Sequence, residues 1–127
     1  MDTKDLAEKG LKLRKEMVGA EAVEQRTSSL GEFGAPLQHI INAYAYGDIW
    51  SRPGLPISTK SLAMIAMMAA AGKPAELRVH LKGALKNGCT PEEIREVLLL
   101  VALYCGIPTA NEAHRAAVEV LKEAGKA

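Results

Sequence analysis

The chain has 127 residues, of which 48% are hydrophobic, a composition that suits one globular domain and excludes a disordered protein. Its net charge of +1, with acidic and basic residues interspersed, gives no electrostatic basis for binding nucleic acid or a membrane surface. Cys89 and Cys105 form no CxxC pair and no metal-ligand spacing, so neither a zinc site nor a dithiol is expected. With no signal peptide and no apolar run of roughly 20 residues, the sequence predicts a soluble, cytoplasmic protein.

The amino-terminal part of the chain predicts two helices and a short helical segment between them. Thr3 is expected to cap the first helix, whose loose apolar stripe suggests that it lies on the outside of the protein or reaches to a neighbour. The polar residues 20–30 predict one or two further turns. Pro36 is expected to open the next helix and Gly47 to end it. The segment 48–56 holds two prolines and a glycine, which predict an irregular loop.

Trp50 and Arg52 lie in this predicted loop. Loops on a rigid scaffold often carry binding or catalytic residues, which is one interpretation of the segment. The other interpretation is that Trp50 fills the core and Arg52 pairs with a carboxylate. The local sequence leaves both open.

The carboxyl-terminal part predicts four helices. Ser58 is expected to cap a long apolar helix, and Pro74 to open the second. The residues Thr90-Pro91-Glu92-Glu93 have the capping-box pattern that starts a third, and Thr109 is expected to cap the last. No segment alternates with a period of two, so the sequence predicts an all-α fold of about six helices in a single domain, 1–127.

Two segments, 62–71 and 97–103, are apolar on every side of the predicted helix. A helix that is apolar all round must be buried all round, and a small domain can hardly surround two of them. We therefore expect an obligate homo-oligomer whose subunit interfaces cover the remaining faces. The alternative is a monomer in which the short helices wrap both segments.

Glu76 and His80 are four residues apart and share one side of the predicted helix 75–87. They lie at the shoulder of its apolar stripe, where a cleft-lining acid–base pair would be placed. The carboxylate could orient the imidazole and favour its protonated form. The alternative is a surface pair that stabilises the helix by about 0.2–0.5 kcal/mol.

Four long stretches resemble the gamma-carboxymuconolactone decarboxylase family. They are YGDIWSRPGLP (46–56), TKSLAMIAM (59–67), ELRVHLKGALKNGCTPEEIREVLL (76–99) and ALYCGIPTANEA (102–113). The likeness extends from about residue 5 to residue 120. It implies an all-helical fold of the alkylhydroperoxidase D type, usually assembled as a hexamer.

The resemblance also implies a reaction, the cofactor-free conversion of 4-carboxymuconolactone to 3-oxoadipate enol-lactone and CO2 in protocatechuate degradation by the beta-ketoadipate pathway. For this small-molecule substrate we predict three catalytic residues and three substrate-binding residues that converge on one pocket, with no metal ligands. The catalytic residues are His80, Glu76 and Arg52, and the substrate-binding residues are Trp50, Tyr46 and Lys60. The alternatives are a related enzyme of the same fold acting on another lactone or keto acid, or a non-catalytic oligomeric binding protein.

The sequence departs from the family's wider patterns at two places. If His80 matches the histidine of the CxxCxxxH motif of the superfamily's redox branch, Lys73 and Glu76 occupy its two cysteine positions. This alignment excludes peroxidase chemistry by the dithiol route. Lys60 stands where the decarboxylases commonly have arginine, so the positive charge is kept but the bidentate fork is lost.

Overall fold

The structure is a computed structural model that describes residues 2–127, and these residues form helices and no strands. The elements are α1 (Thr3–Val18), α2 (Ala20–Leu30), α3 (Ala35–Ile40), a π-helix (Ile41–Trp50), α4 (Ile57–Ala70), α5 (Pro74–Lys86), α6 (Pro91–Cys105) and α7 (Ile107–Glu123). The prediction of an all-α fold is confirmed. The described residues contain more helical elements than the six expected, because α2 is a full helix and the next predicted helix changes into the π-helix partway along.

The chain forms two compact units, an amino-terminal unit that ends at Leu55 and a carboxyl-terminal unit that begins at Pro56. The amino-terminal unit contains α1, α2, α3 and the π-helix. The carboxyl-terminal unit contains α4 to α7. That the two units make up a single domain stays a prediction.

In the amino-terminal unit, α1 packs along the π-helix through one side, on which Gly10, Arg14 and Met17 are buried. Glycines allow this close approach. A Cβ added at Gly10 would overlap the carbonyl oxygen of Asn42, and one added at Gly47 would overlap the carbonyl oxygen of Leu6. The prediction that Gly47 ends a helix is therefore wrong, because the helix continues through it to Trp50 and the glycine serves helix packing instead.

Ser51 ends the π-helix. Its hydroxyl donates to the carbonyl oxygens of Gly47, at 2.6 Å, and Asp48, at 3.2 Å, which the helix itself leaves without partners at its end. The irregular segment is thus 51–56, shorter than predicted, and Trp50 belongs to the π-helix rather than to a loop.

The carboxyl-terminal unit is built around one hydrophobic core. Helix α4 packs against α5, α6 and α7, and α7 packs against α5 and α6. The buried core side chains are Ile65, Ala69, Leu77, Leu81, Ala84, Cys89, Ile94, Leu98, Val101, Ala113, Ala116, Ala117 and Val120. All four helices contribute to this core, so each one fixes the orientation of its neighbours.

The capping box predicted at the start of α6 is confirmed. The Thr90 hydroxyl accepts from the backbone N–H of Glu93 at 3.1 Å, and the Glu93 carboxylate accepts from the backbone N–H of Thr90 at 2.8 Å. Thr109, by contrast, does not cap α7. It lies inside that helix, because Pro108 occupies the first turn, where the missing N–H of proline costs no hydrogen bond.

Two further predicted N-caps are wrong by one or two residues. Asp2 rather than Thr3 caps α1, and its carboxylate accepts from the backbone N–H of Asp5 at 2.9 Å. Helix α4 begins directly after Pro56, so Ser58 lies within its first turn. Neither difference changes the faces that the two helices present.

Candidate functional site

Glu76 and His80 lie one turn apart on α5, as their spacing predicts. Leu77 and Leu81, on the neighbouring side of this helix, are buried in the core, while Glu76 and His80 are half-buried. The pair therefore lies at the edge of the core, where a side chain can reach a substrate and still be held by packing. The predicted placement on the shoulder of the apolar stripe is confirmed for this helix.

The opposite shoulder of α5 is tied to α7 by two ion pairs. Arg78 donates from Nε and Nη2 to one carboxylate oxygen of Glu119, at 3.0 and 2.8 Å. Lys82 Nζ lies 3.3 Å from a carboxylate oxygen of Glu123. Exposed pairs of this kind contribute about 0.2–1 kcal/mol each, so they add modestly to the core packing of Leu77 and Leu81, which sets the rotation of α5 about its axis. That rotation determines on which side of α5 His80 lies.

Polar contacts join the beginning of α4 to the end of α5. The buried hydroxyl of Ser61 lies 3.5 Å from Asn87 Nδ2, and the thiol of Cys89 donates to the carbonyl oxygen of Ser58 at 3.3 Å. Lys60 is half-buried in the first turn of α4, next to Ser61. The positive end of the helix dipole lies at the same turn as its ammonium group.

The π-helix carries a stacked aromatic pair. The rings of Tyr46 and Trp50 are 6.0 Å apart between centroids, their planes differ by 11°, and the residues are 7% and 8% exposed. Just beyond, Arg52 Nε donates to Asp48 Oδ1 at 3.1 Å, and the arginine side chain is largely exposed. Trp50 thus packs inside the protein and Arg52 pairs with a carboxylate, which matches the second of the two interpretations that the sequence left open.

Arg14 on α1 is a buried charged residue, 3% exposed, that was not predicted as part of a site. Its Nη1 donates to Gln38 Oε1 at 2.8 Å and to Asn42 Oδ1 at 3.1 Å, and its guanidinium carbon lies 5.8 Å from the centre of the Tyr46 ring. A sequence signal does exist. Gln38, Asn42, Tyr46 and Trp50 follow one another at intervals of four, which places two amides and two aromatics along one side of a helix.

The two cysteines have different surroundings and form no disulfide. Cys89 is buried, and burial in the first place, with the negative charge of Glu93 in the second, raises the pKa of its thiol above the ordinary value. A raised pKa disfavours the thiolate, which is the nucleophilic form. Cys105 is exposed at the end of α6. The surroundings of Cys89 therefore do not activate it as a nucleophile, and the two cysteines are not paired with each other.

An open groove of about 560 Å³ runs between α4 and α6 in the carboxyl-terminal unit. Its walls are almost wholly apolar, with the side chains of Thr59, Leu62, Ala63, Ala66, Met67, Ala70, Val97, Leu100, Val101 and Cys105. None of the six predicted site residues lines it. A dicarboxylate would lose its hydration there without gaining charged partners, so this groove suits an apolar protein surface better than the predicted substrate.

Within residues 2–127, no group of three or more His, Cys, Asp or Glu side chains is arranged to hold a metal ion. Among the same residues, no helix is both long and apolar enough to cross a membrane.

The structure brings some of the predicted site residues together within each unit. In the amino-terminal unit it stacks Tyr46 on Trp50, and in the carboxyl-terminal unit it sets Glu76 one turn from His80. That these pairs serve one substrate, together with Arg52 and Lys60, stays a prediction.

Comparison with known proteins gives a consistent result. The family model described as the carboxymuconolactone decarboxylase family matches residues 35–119. A 4-carboxymuconolactone decarboxylase from Acinetobacter baylyi is 39% identical over 125 residues, which cover 98% of this chain and 93% of the relative. A nitrosuccinic acid decarboxylase from Metarhizium robertsii is 39% identical over 108 residues, which cover 85% of this chain and 76% of the relative.

Proposed function

Because this chain belongs to the carboxymuconolactone decarboxylase family, we propose that it converts 4-carboxymuconolactone to 3-oxoadipate enol-lactone and CO2 in the cytoplasm, without a cofactor. The observation that carries the proposal is the 39% identity, over nearly the full length of both chains, to a decarboxylase named for this substrate. The reaction would serve protocatechuate degradation by the beta-ketoadipate pathway.

The substrate carries its own electron acceptor. Its leaving carboxylate is on a carbon joined through an alkene to the lactone carbonyl, so electrons released with CO2 flow into that carbonyl and give a furan-like dienolate. The enzyme then has three tasks. It must stabilise the negative charge that develops on the lactone oxygen, bind the carboxylate that does not leave, and protonate a carbon.

We propose that His80 either stabilises the negative charge that develops on the lactone oxygen or transfers the proton to carbon. A protonated imidazole can act as either a hydrogen-bond donor to the oxyanion or a general acid. Glu76, one turn earlier on α5, is the group that orients the ring and favours its protonated form. The half-buried position of both residues at the edge of the core supports these roles, because packing limits the motion of each side chain.

Lys60 and the start of α4 are suited to binding the carboxylate that remains on the product. The first turn of α4 has no side-chain cap hydrogen bond, and its N–H groups carry the positive end of the helix dipole. The ammonium group of Lys60 adds a full positive charge to the same turn. An anion bound there would be attracted both by the ammonium group and by the helix amino terminus.

Arg52 is the second candidate cation, and its replacement by alanine should mainly raise KM, by about tenfold, with a smaller effect on kcat. A cation that binds the non-reacting carboxylate contributes equally to the bound substrate and to the transition state. Steady-state kinetics with 4-carboxymuconolactone measures the two constants. Arg95→Ala, which removes an exposed arginine from α6, is the matched control and should leave both unchanged. A kcat loss without a change in KM would contradict a binding role for Arg52.

The stacked rings of Tyr46 and Trp50 are proposed as a wall of the substrate pocket. Flat apolar rings next to the leaving carboxylate would replace its hydration shell, and a poorly solvated carboxylate loses CO2 more easily. The stacking supports this role, because two nearly parallel rings make one continuous apolar surface.

The proposed function is tested by incubating the purified protein with freshly prepared 4-carboxymuconolactone. The expected result is enzyme-dependent loss of the lactone with release of one CO2 per molecule consumed. Heat-denatured protein and buffer alone measure the spontaneous reaction. Turnover no faster than these controls would exclude the assignment of this substrate.

A second substrate class is supported by the nitrosuccinic acid decarboxylase at the same identity. In nitrosuccinic acid the nitro group can accept the electrons that the lactone carbonyl accepts in 4-carboxymuconolactone. Stabilising the developing charge, binding the remaining carboxylate and protonating a carbon would then be the work of the same side chains as for the lactone. Assaying both acids side by side distinguishes the two substrates, and the one with the higher kcat/KM identifies the class that this site serves.

We further propose a homo-oligomer, with a hexamer as the expected form. The described residues leave large apolar side chains exposed around the end of α6 and the start of α7, among them Leu100 (59% exposed), Leu103 (71%), Tyr104 (82%) and Ile107 (64%). With the adjoining apolar groove, they form a surface of the kind that a monomer rarely leaves in water. A second copy of the chain would cover it.

Replacing Leu103 with glutamate should shift the protein from an oligomer to smaller species, because the charge would have to be buried at the interface. Light scattering coupled to size-exclusion chromatography measures the mass. Glu96→Gln, on the same helix at an exposed polar position, should leave the mass unchanged. A well-folded wild-type monomer at micromolar concentration would contradict the proposed oligomer.

A further inference from the structure

The buried guanidinium of Arg14 holds the helix that carries the aromatic pair. We propose that Arg14 is a positioning residue, which fixes the Tyr46–Trp50 stack in the orientation that decarboxylation needs. The inference rests on the proposed function, since that function makes the stack a wall of the substrate pocket. The proposal includes no contact between Arg14 and the substrate. Arg14 affects catalysis only through the position of the stack.

Burying a guanidinium is expensive unless its donors are satisfied. Arg14 is 3% exposed, and it donates to the amide oxygens of Gln38 and Asn42 at 2.8 and 3.1 Å. An apolar side chain would fill the same space on α1 without this desolvation cost. What arginine adds is direction, because Nη1 of its planar guanidinium donates to two fixed acceptors at once.

The two acceptors lie on either side of a change in helix type. Gln38 belongs to α3, which ends at Ile40, while Asn42 belongs to the π-helix that follows. Arg14 therefore bridges the junction at which the backbone pattern changes from i→i+4 to i→i+5 hydrogen bonds. π-Helical turns are rare and poorly favoured by themselves, so a side chain that binds both sides of the junction stabilises the change.

The register of the π-helix determines where the aromatic rings point. Tyr46 and Trp50 follow Asn42 at intervals of four residues. If the junction relaxed to a continuous α-helix, each later residue would rotate about the helix axis, and the stack would turn with it. Arg14 also lies 5.8 Å from the centre of the Tyr46 ring, close enough for a cation–π attraction to the first member of the stack.

The test compares Arg14→Met with Lys12→Met. Both remove one positive charge from α1, but Lys12 is exposed and two residues away, so it serves as the matched control. For Arg14→Met we expect kcat/KM to fall on the order of tenfold, the scale that accompanies a misplaced pocket wall. Trp50 is the only tryptophan of the chain, so its fluorescence maximum and near-ultraviolet circular dichroism should change as well. Lys12→Met should match the wild type in kcat/KM, in the fluorescence maximum and in the near-ultraviolet circular dichroism.

A purely structural role predicts a different pattern, namely a lower Tm with unchanged kcat/KM per folded molecule and unchanged Trp50 spectra. That result would overturn the proposal. If Arg14→Met does not fold, Arg14→Lys replaces it, because lysine keeps the charge but loses the planar guanidinium that places Nη1 between Gln38 and Asn42. A smaller change in the same direction in kcat/KM and the Trp50 spectra supports positioning, whereas wild-type values for both overturn it.

The spectra also separate this inference from the proposed function. A wild-type protein that fails to decarboxylate 4-carboxymuconolactone would refute that function, while leaving the Trp50 signals measurable. In that case, altered spectra in folded Arg14→Met would still support the positioning of the stack. Unaltered spectra would overturn it independently of any substrate.

Discussion

Replacing His80 with alanine should lower kcat by about a hundredfold or more, with a smaller effect on KM. This is the usual scale for removing a positioned general acid or a donor to a developing oxyanion. The interaction is formed with charge that exists only in the transition state, so substrate binding should change less than turnover. Steady-state kinetics on 4-carboxymuconolactone, with folding checked by circular dichroism, measures both constants.

The chain offers a matched control in His39, an exposed histidine on α3. His39→Ala should retain wild-type kinetics, and Glu76→Gln should fall between the two histidine variants. Glu76→Gln should also move the pH optimum downward, because an imidazolium that has lost a neighbouring carboxylate gives up its proton more easily. Near-normal turnover by folded His80→Ala would refute the proposed mechanism while leaving the family membership intact.

The sequence predicted best those features that depend on neighbours a few residues apart. The capping box of Thr90 and Glu93 and the side of α5 shared by Glu76 and His80 follow from local spacing, and the structure contains both. A helix fixes the relative direction of such residues before any tertiary contact forms. This is why the Glu76–His80 pair could be identified as a candidate from periodicity.

Features that depend on a distant partner were not predictable in the same way. Gly47 has the local character of a helix end, yet its function is to let the backbone of α1 approach. Arg14 lies among several other charged residues on α1, and the partners that make it informative are 24 and 28 residues further along the chain. The π-helix has no recognised local pattern in the sequence, because the same residues also suit an α-helix. The periodicity of the sequence alone cannot show which role such residues have, because that role depends on the packing of distant segments.

The second large effect expected is on stability. Gly10→Ala should destabilise the protein by roughly 3 kcal/mol or more, the upper range for forcing atoms into a packed interior. The added Cβ would overlap the carbonyl oxygen of Asn42 and approach the backbone nitrogen of Gly47, and a backbone atom cannot move aside as the end of a flexible side chain can. Helix α1 and the π-helix would have to separate. Urea unfolding followed by the fluorescence of Trp50 reports on this unit directly, because the chain has no other tryptophan.

Gly54→Ala provides the comparison, since a Cβ at Gly54 meets no atom within 4 Å and its backbone does not require a positive φ. Its free energy of unfolding should stay within about 0.5 kcal/mol of the wild type, as for surface substitutions generally. If Gly10→Ala unfolded at the same urea concentration as Gly54→Ala, α1 and the π-helix could not be in close backbone contact. The guanidinium of Arg14 would then lie at no fixed distance from Asn42. It could not position the Tyr46–Trp50 stack, so that proposal would be refuted as well.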